Sequence, residues 1–160
     1  MPRKVEPRAG KIDYDVEGTI VGNWFLDGTL DYAGSGRPDL GYTNGHLSIA
    51  YGSIDPSQLA ITIGADTGID EDLCNICFGS YGIRGNRPDP RTIDANAGLV
   101  KYELMSREES GFNRDQVGDV PLGTFLVQHL GGRTIRVEVI PGKSPDEVSG
   151  FSDAARIYRR

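Results

Sequence analysis

Apolar and polar residues alternate with a period of two along much of this chain, and helical periodicity is scarce. Leu47, Ile49 and Tyr51 alternate with His46, Ser48 and Ala50. Leu59, Ile61 and Ile63 alternate with Ala60 and Thr62, and Val100, Tyr102 and Leu104 with Lys101 and Glu103. Such a pattern puts every second side chain on one face of a half-buried strand. In the stretch GTIVGNWFLDG, Ile20, Trp24 and Leu26 share a face, and Gly22 opens a gap among them. Residues 11–16, 73–83 and 154–159 are further strand candidates.

The clearest local signal is TFLVQHLGGRTIRVEVI, where two strand-like runs flank Gly131-Gly132. Glycine tolerates positive φ, so a two-residue Gly-Gly loop predicts a primed hairpin turn. Pairing across it sets Leu126 beside Val137 and Gln128 beside Ile135 on one face. Phe125, Val127 and His129 line the other, with Arg136 and Glu138. The face carrying Leu126, Ile135, Val137 and Val139 is the more apolar, so it is expected to be the core side. That leaves Arg136 and Glu138 as surface residues.

Helix is confined to short turns. In SPDEVS, Ser144 is the N-cap, Pro145 the first helical residue and Glu147 the partner that closes a capping box. The count of strands reaches eight or nine, and 22 glycines and nine prolines supply turns between them. At 160 residues the chain is the size of one domain. The expected fold is all-β, an antiparallel barrel of about eight strands, with a two-sheet sandwich as the alternative. Residues 1–10 read as a linker or tail and 11–160 as the single β-barrel domain.

A formal net charge of −6 opposes nucleic acid, and no basic cluster with aromatics offsets it. No apolar run approaches the ~20 residues of a membrane span. The N-terminal stretch lacks the apolar core of a signal peptide, so a cytoplasmic protein is expected, or else a domain of an exported one.

The chemistry on offer is sparse. Two histidines and no nucleophile elbow nominate no triad. GSYGIRG, Gly79 to Gly85, has neither the spacing of a phosphate loop nor a following helix, and reads as a bulged strand and turn. Asp66, Asp70, Glu71 and Asp72 could ligate calcium on a loop, although the EF-hand order is missing and a solvated turn looks the same. Cys74 and Cys77 are half a zinc site, which His46 and His129 would have to complete, or simply two buried thiols. The acid–base candidates are Glu138 and His129, with Asp13, Asp15 and Glu17 near the start. No cofactor and no metal is expected.

Gly22-Asn23-Trp24 on an early strand of an all-β chain of this length resembles the lipocalin and wider calycin group. The resemblance covers one short motif, the length and the strand count. It implies that Trp24 closes the barrel floor against a late arginine, for which Arg156 in AARIYRR is chosen, with Gly22 making room. The long C-terminal helix and the preceding N-terminal helical turn usual in lipocalins have no counterpart here. The implied function is binding of a small, largely apolar molecule inside the barrel, lined by Trp24, Tyr51, Tyr102 and Phe125. The alternatives are a lipocalin-like enzyme of isomerase, cyclase or hydratase type, known among bacterial proteins of this shape, or a non-catalytic β-domain. That β-domain would pack on a partner domain or form a homodimer. The enzyme would use Glu138 and His129.

Overall fold

A computed structural model of the chain describes residues 15–29, 45–52, 56–64, 76–107 and 116–160. Residues 1–10, the carboxylates Asp66, Asp70, Glu71 and Asp72, and also Asp13 and Cys74, lie outside them. The strands are β1 (Gly22–Leu26), β2 (His46–Tyr51), β3 (Leu59–Ile63), β4 (Gly79–Ile83), β5 (Leu99–Arg107), β6 (Val117–Gly131), β7 (Thr134–Pro141) and β8 (Arg156–Arg159). Each pairs antiparallel with the next, and β8 returns to β1, so eight strands close into an up-and-down barrel. The expected barrel is present, and the sandwich is not. The fold is compatible with a lipocalin-like protein. Closure leaves no open sheet edge in the ring.

The alternating segments behave as their pattern dictates. Leu47, Ile49, Leu59, Ile61, Ile63, Tyr102 and Leu104 point inward and are almost completely buried. Trp24 and Ile20 join the same core, with Leu26 half-buried against it. The described helices are three short 3₁₀ turns, one of them Pro145–Glu147. There the Glu147 carboxylate accepts from both the N–H and the hydroxyl of Ser144, each at 2.8 Å, which completes the expected capping box.

The β6–β7 hairpin differs from expectation by one residue. Gly131 pairs with Thr134, Gly132-Arg133 form the loop, and the register slips between His129 and Gly131. Leu130 is the extra residue at this irregularity and is half-exposed. The pairs are therefore His129 with Ile135, Val127 with Val137 and Phe125 with Val139. A one-residue slip flips which side chains share a face. Phe125, Val127, Ile135 and Val137 are in the core together, while Leu126, Arg136 and Glu138 face outward.

That outer face is nevertheless covered. The segment 142–155, between β7 and β8, lies across it as a strap. Lys101 donates its ammonium to the carbonyls of Val148 and Pro145, and Thr124 donates its hydroxyl to Lys143 O at 2.7 Å. Leu126 and Thr124 are consequently fully buried on the outside of the barrel. Arg136 stacks on Phe151 at 4.5 Å.

One end of the barrel gathers the start of β1, the β2–β3 turn, the β4–β5 connection (84–98), the β6–β7 turn and Arg160. Ile20 N–H donates to Ile93 O at 3.1 Å, joining the segment before β1 to the β4–β5 connection. Both side chains belong to the core, so apolar groups seal this end.

Candidate functional site

The sealed end is built on Trp24. Its indole N–H donates to Ile20 O at 2.9 Å, and the guanidinium of Arg160 lies 4.2 Å from the ring centre. The arginine that meets Trp24 is thus Arg160 and not Arg156. Alternation explains why. Residues 156, 158 and 160 share the inner face of β8, but Val137 pairs with Arg156, whereas Thr134 at the sealed end pairs with Arg159. Arg156 accordingly sits toward the opposite end. Arg160 donates to Val21 O at 2.7 Å, Val16 O at 3.1 Å and Thr19 O at 3.2 Å, with the Asp15 carboxylate 3.9 Å away. A Cβ at Gly22 would run into both Asp15 and Arg160, so the glycine makes room for the arginine that covers the tryptophan.

His129 stands edge-on to Trp24, with ring centres 6.3 Å apart, and is buried. Gly131 N–H donates to its Nδ1 at 3.0 Å, while Nε2 has no hydrogen-bond partner among the described residues. Burial, and then the nearby Arg160 charge, hold its pKa below the ordinary histidine value. Glu138 lies on the outer face of the wall. Its carboxylate accepts from the N–H of Ser152 at 2.7 Å and from the Ser152 hydroxyl at 2.5 Å. His129 and Glu138 are therefore on opposite faces, and the structure does not bring them together.

Of the four aromatic lining candidates, three belong to one core cluster and Tyr51 packs half-buried against it. Trp24, Tyr102 and Phe125 are fully buried core residues. Leu47, Ile63, Cys77, Phe125, Val137 and Tyr158 border a small pocket of about 20 Å³ together with Glu138, Val139, Ala154 and Arg156. Tyr51, at the end of β2, instead borders a pocket of about 830 Å³ at the sealed end. Pro56 and Ser57 of the β2–β3 turn form one side, and Asn86, Arg87, Asp89 and Arg91 of the β4–β5 connection form another.

This pocket has a fixed frame. Asp89 caps a 3₁₀ turn by accepting from Arg91 N–H at 2.9 Å, and Pro90 occupies the first turn position. The same carboxylate accepts from the Tyr51 hydroxyl and pairs with Arg91 Nη2 at 2.6 Å. Arg91 also lies over the Tyr51 ring at 4.6 Å. The hydrogen bond from Arg91 holds the Asp89 carboxyl far below its usual range. Burial, and then Asp89, push the Tyr51 phenol well above its own. A carboxylate so saturated with donors is a poor base, and a phenol so raised is a poor acid. The arrangement suits recognition better than proton transfer.

Tyr51 is expected from the sequence as a residue of the barrel interior and not of this pocket, and Asp89 and Arg91 are not among the sequence candidates. Their signal was available in Asp89-Pro90-Arg91-Thr92, which has the cap-then-proline order already used to place Ser144 and Pro145. Among the described residues, no three histidine, cysteine or acidic side chains stand together as a metal set. Cys77 is buried and disulfide-bonded, which replaces the expected free thiol. No family model matches this sequence, and neither a curated protein nor a solved structure matches the chain.

Proposed function

We propose that this protein is a small-ligand-binding β-barrel whose ligand occupies the Tyr51 pocket. One observation carries the reading: a pocket of about 830 Å³ is built on side chains already locked to one another. That volume falls within the ~300–1,000 Å³ of small-molecule sites. Preorganised walls lower the cost of ordering on binding. The barrel serves as a rigid scaffold, with the β2–β3 turn and the β4–β5 connection as the recognition elements.

A thermal-shift screen of small metabolites against the protein and its Ser57→Trp variant tests this reading. Ser57 is exposed on the pocket wall, so an indole there fills the space. Compounds that raise the melting temperature of the parent and not of the variant are expected. Compounds that stabilise both equally would place binding elsewhere.

The finer reading, an apolar molecule held inside the barrel, draws support from the apolar inner lining around Phe125, Leu47 and Val137. The pocket of about 20 Å³ that these three residues share with Glu138, Ala154 and Arg156 is by itself too small for such a molecule. A lipid-sized mass that co-purifies in native mass spectrometry would favour the interior over the pocket. The disulfide at Cys77 supports an oxidising compartment for the chain in place of the cytosol.

A further inference from the structure

We infer that the Tyr51 pocket selects a small organic oxyanion, a carboxylate- or phosphate-bearing molecule, with Arg87 and Arg91 as its anchors. The inference rests on the reading of this pocket as a binding site and adds the chemistry of its ligand.

Charge within the pocket is the first ground. Three charged side chains line it: Arg87, Asp89 and Arg91. Asp89 and Arg91 neutralise each other through Nε at 3.1 Å and Nη2 at 2.6 Å. Asp89 therefore offers little repulsion to an incoming anion. Arg87 is exposed on the wall, and no described acidic group pairs with it. The described lining thus carries a net positive charge in a chain whose formal charge is −6. A stray anion is repelled by the molecule as a whole, so binding here requires local donors. A guanidinium presents its N–H groups in a planar fork that matches a carboxylate or phosphate. Arg91 spends Nε and Nη2 on Asp89, which leaves Nη1 with no hydrogen-bond partner of its own in the described chain.

The fixed position of Arg87 is the second ground. Its neighbour Asn86 adopts a left-handed φ of 50°, an uncommon conformation for a residue other than glycine. Asn86 is held there because its side-chain oxygen accepts from Leu59 N–H of β3 at 2.9 Å. On the other side, the Tyr102 hydroxyl donates to Pro88 O at 2.8 Å from within the core. Arg87 is therefore tethered at both neighbours, one to the barrel wall and one to its interior. An arginine with a constrained backbone and an unpaired head group is better suited to a ligand than one on a free loop.

Tyr51 and Pro56 supply apolar surface beside these donors, so an anion with a small organic body fits better than a bare ion. The probes are benzoate and phenyl phosphate, with benzamide as the neutral shape control. Each is titrated into ¹⁵N-labelled protein while the amide and arginine Nε–H signals of residues 84–91 are followed. The expected result is saturable shifts there with benzoate or phenyl phosphate, and at least tenfold weaker binding of benzamide. Arg87→Gln, which breaks no described contact, should weaken anion binding about tenfold at unchanged melting temperature. If benzamide binds as well as benzoate, or if Arg87→Gln changes nothing, the oxyanion inference falls while the pocket reading stands. If no probe shifts these signals, both fall.

Discussion

The guanidinium of Arg160 lies 4.2 Å above the ring centre of Trp24 and donates to three backbone carbonyls of the segment before β1. The contact joins the last residue of the sequence to the first barrel strand. Its side chain is only 4% exposed, so its hydrogen bonds are made where water does not compete freely. Replacing it by glutamine removes the cation–π contact and the fork and leaves the carbonyls short of donors. We expect Arg160→Gln to cost about 2–4 kcal/mol, from about 1 kcal/mol per lost bond and about 1 for the ring contact. Lysine should recover only part, since a point charge cannot reach three carbonyls at once. Urea unfolding followed by fluorescence of Trp24, the chain's one tryptophan, measures this. An Arg160→Gln midpoint equal to the parent's would remove the role assigned to Arg160.

Gly22 should be coupled to the same arginine. Its φ of 143° is strained for any other residue, and an added Cβ would meet both Asp15 and Arg160. Gly22→Ala is expected to destabilise by about 2 kcal/mol or more through strain and overpacking. In the double variant with Arg160→Gln the clash with Arg160 is relieved while that with Asp15 stays, so the two losses should sum to more than the measured whole. Strict additivity would show that the glycine is required by its backbone and by Asp15, and not by Arg160.

Both histidines hold their protons less tightly than free histidine does. At His46 the cause is burial. At His129 it is burial and then Arg160, with Asp94 and Glu17 pulling weakly the other way. In the unfolded chain both titrate near 6.5. As the pH falls below that value, the unfolded state takes up protons first. Stability is therefore fully present above about pH 6.5 and declines as the pH falls toward the lowered folded values. Melting temperatures between pH 8 and pH 5 should follow this course, and His129→Gln should flatten it. An unchanged slope in that variant would assign the acid sensitivity to other groups.

Glu138 has an architectural task on the outer face, where it gathers the N–H and hydroxyl of Ser152. Glu138→Gln should loosen the strap at a cost of about 1–3 kcal/mol, and Ser152→Ala at about 1. Amide hydrogen exchange should quicken in residues 142–155 before it quickens in β5. Uniform exchange changes across the barrel would mean that the strap is not a separate unit.

What could be read from the sequence follows from how local each signal is. The alternation in β2, β3 and β5 survived intact because both faces of each segment were written in adjacent letters. The inward turn of Trp24 was legible for the same reason. The β6–β7 register was not, because Gly131 and Gly132 allow more than one loop and the choice between them turns on Leu130 slipping out. The expected core face was consequently right for β7, where Ile135, Val137 and Val139 turn inward and Glu138 outward, and wrong for β6, where Phe125 and Val127 take the place of Leu126. Its burial could not be foreseen, since it depends on a strap that returns from residues 142–155. Arg160 stands at Trp24 in place of the expected Arg156, because proximity along a strand says nothing about which end of a closed ring a residue reaches. The Tyr51–Asp89 contact links positions 38 apart, and only the closed sheet brings them together.

Barrel closure depends on a short seam. Among the described residues, β1 meets β8 through two residue pairs, Phe25 with Arg159 and Leu26 with Tyr158, and one further bond from Asp27 N–H to Ile157 O at 2.9 Å. The ion pair of Arg159 with Asp27 at 2.9 Å and the Arg160 contacts flank that seam. The β4–β5 join is as short in its ladder, with two pairs, but the β1–β8 join is the one that closes the ring, and side chains add to its fastening. If it opens, two neighbouring strands acquire free edges at once, each able to pair with the matching edge of another copy. Loss of Arg159 or Arg160 is therefore expected to favour pairing between copies, a consequence that a count of surface charges would never suggest.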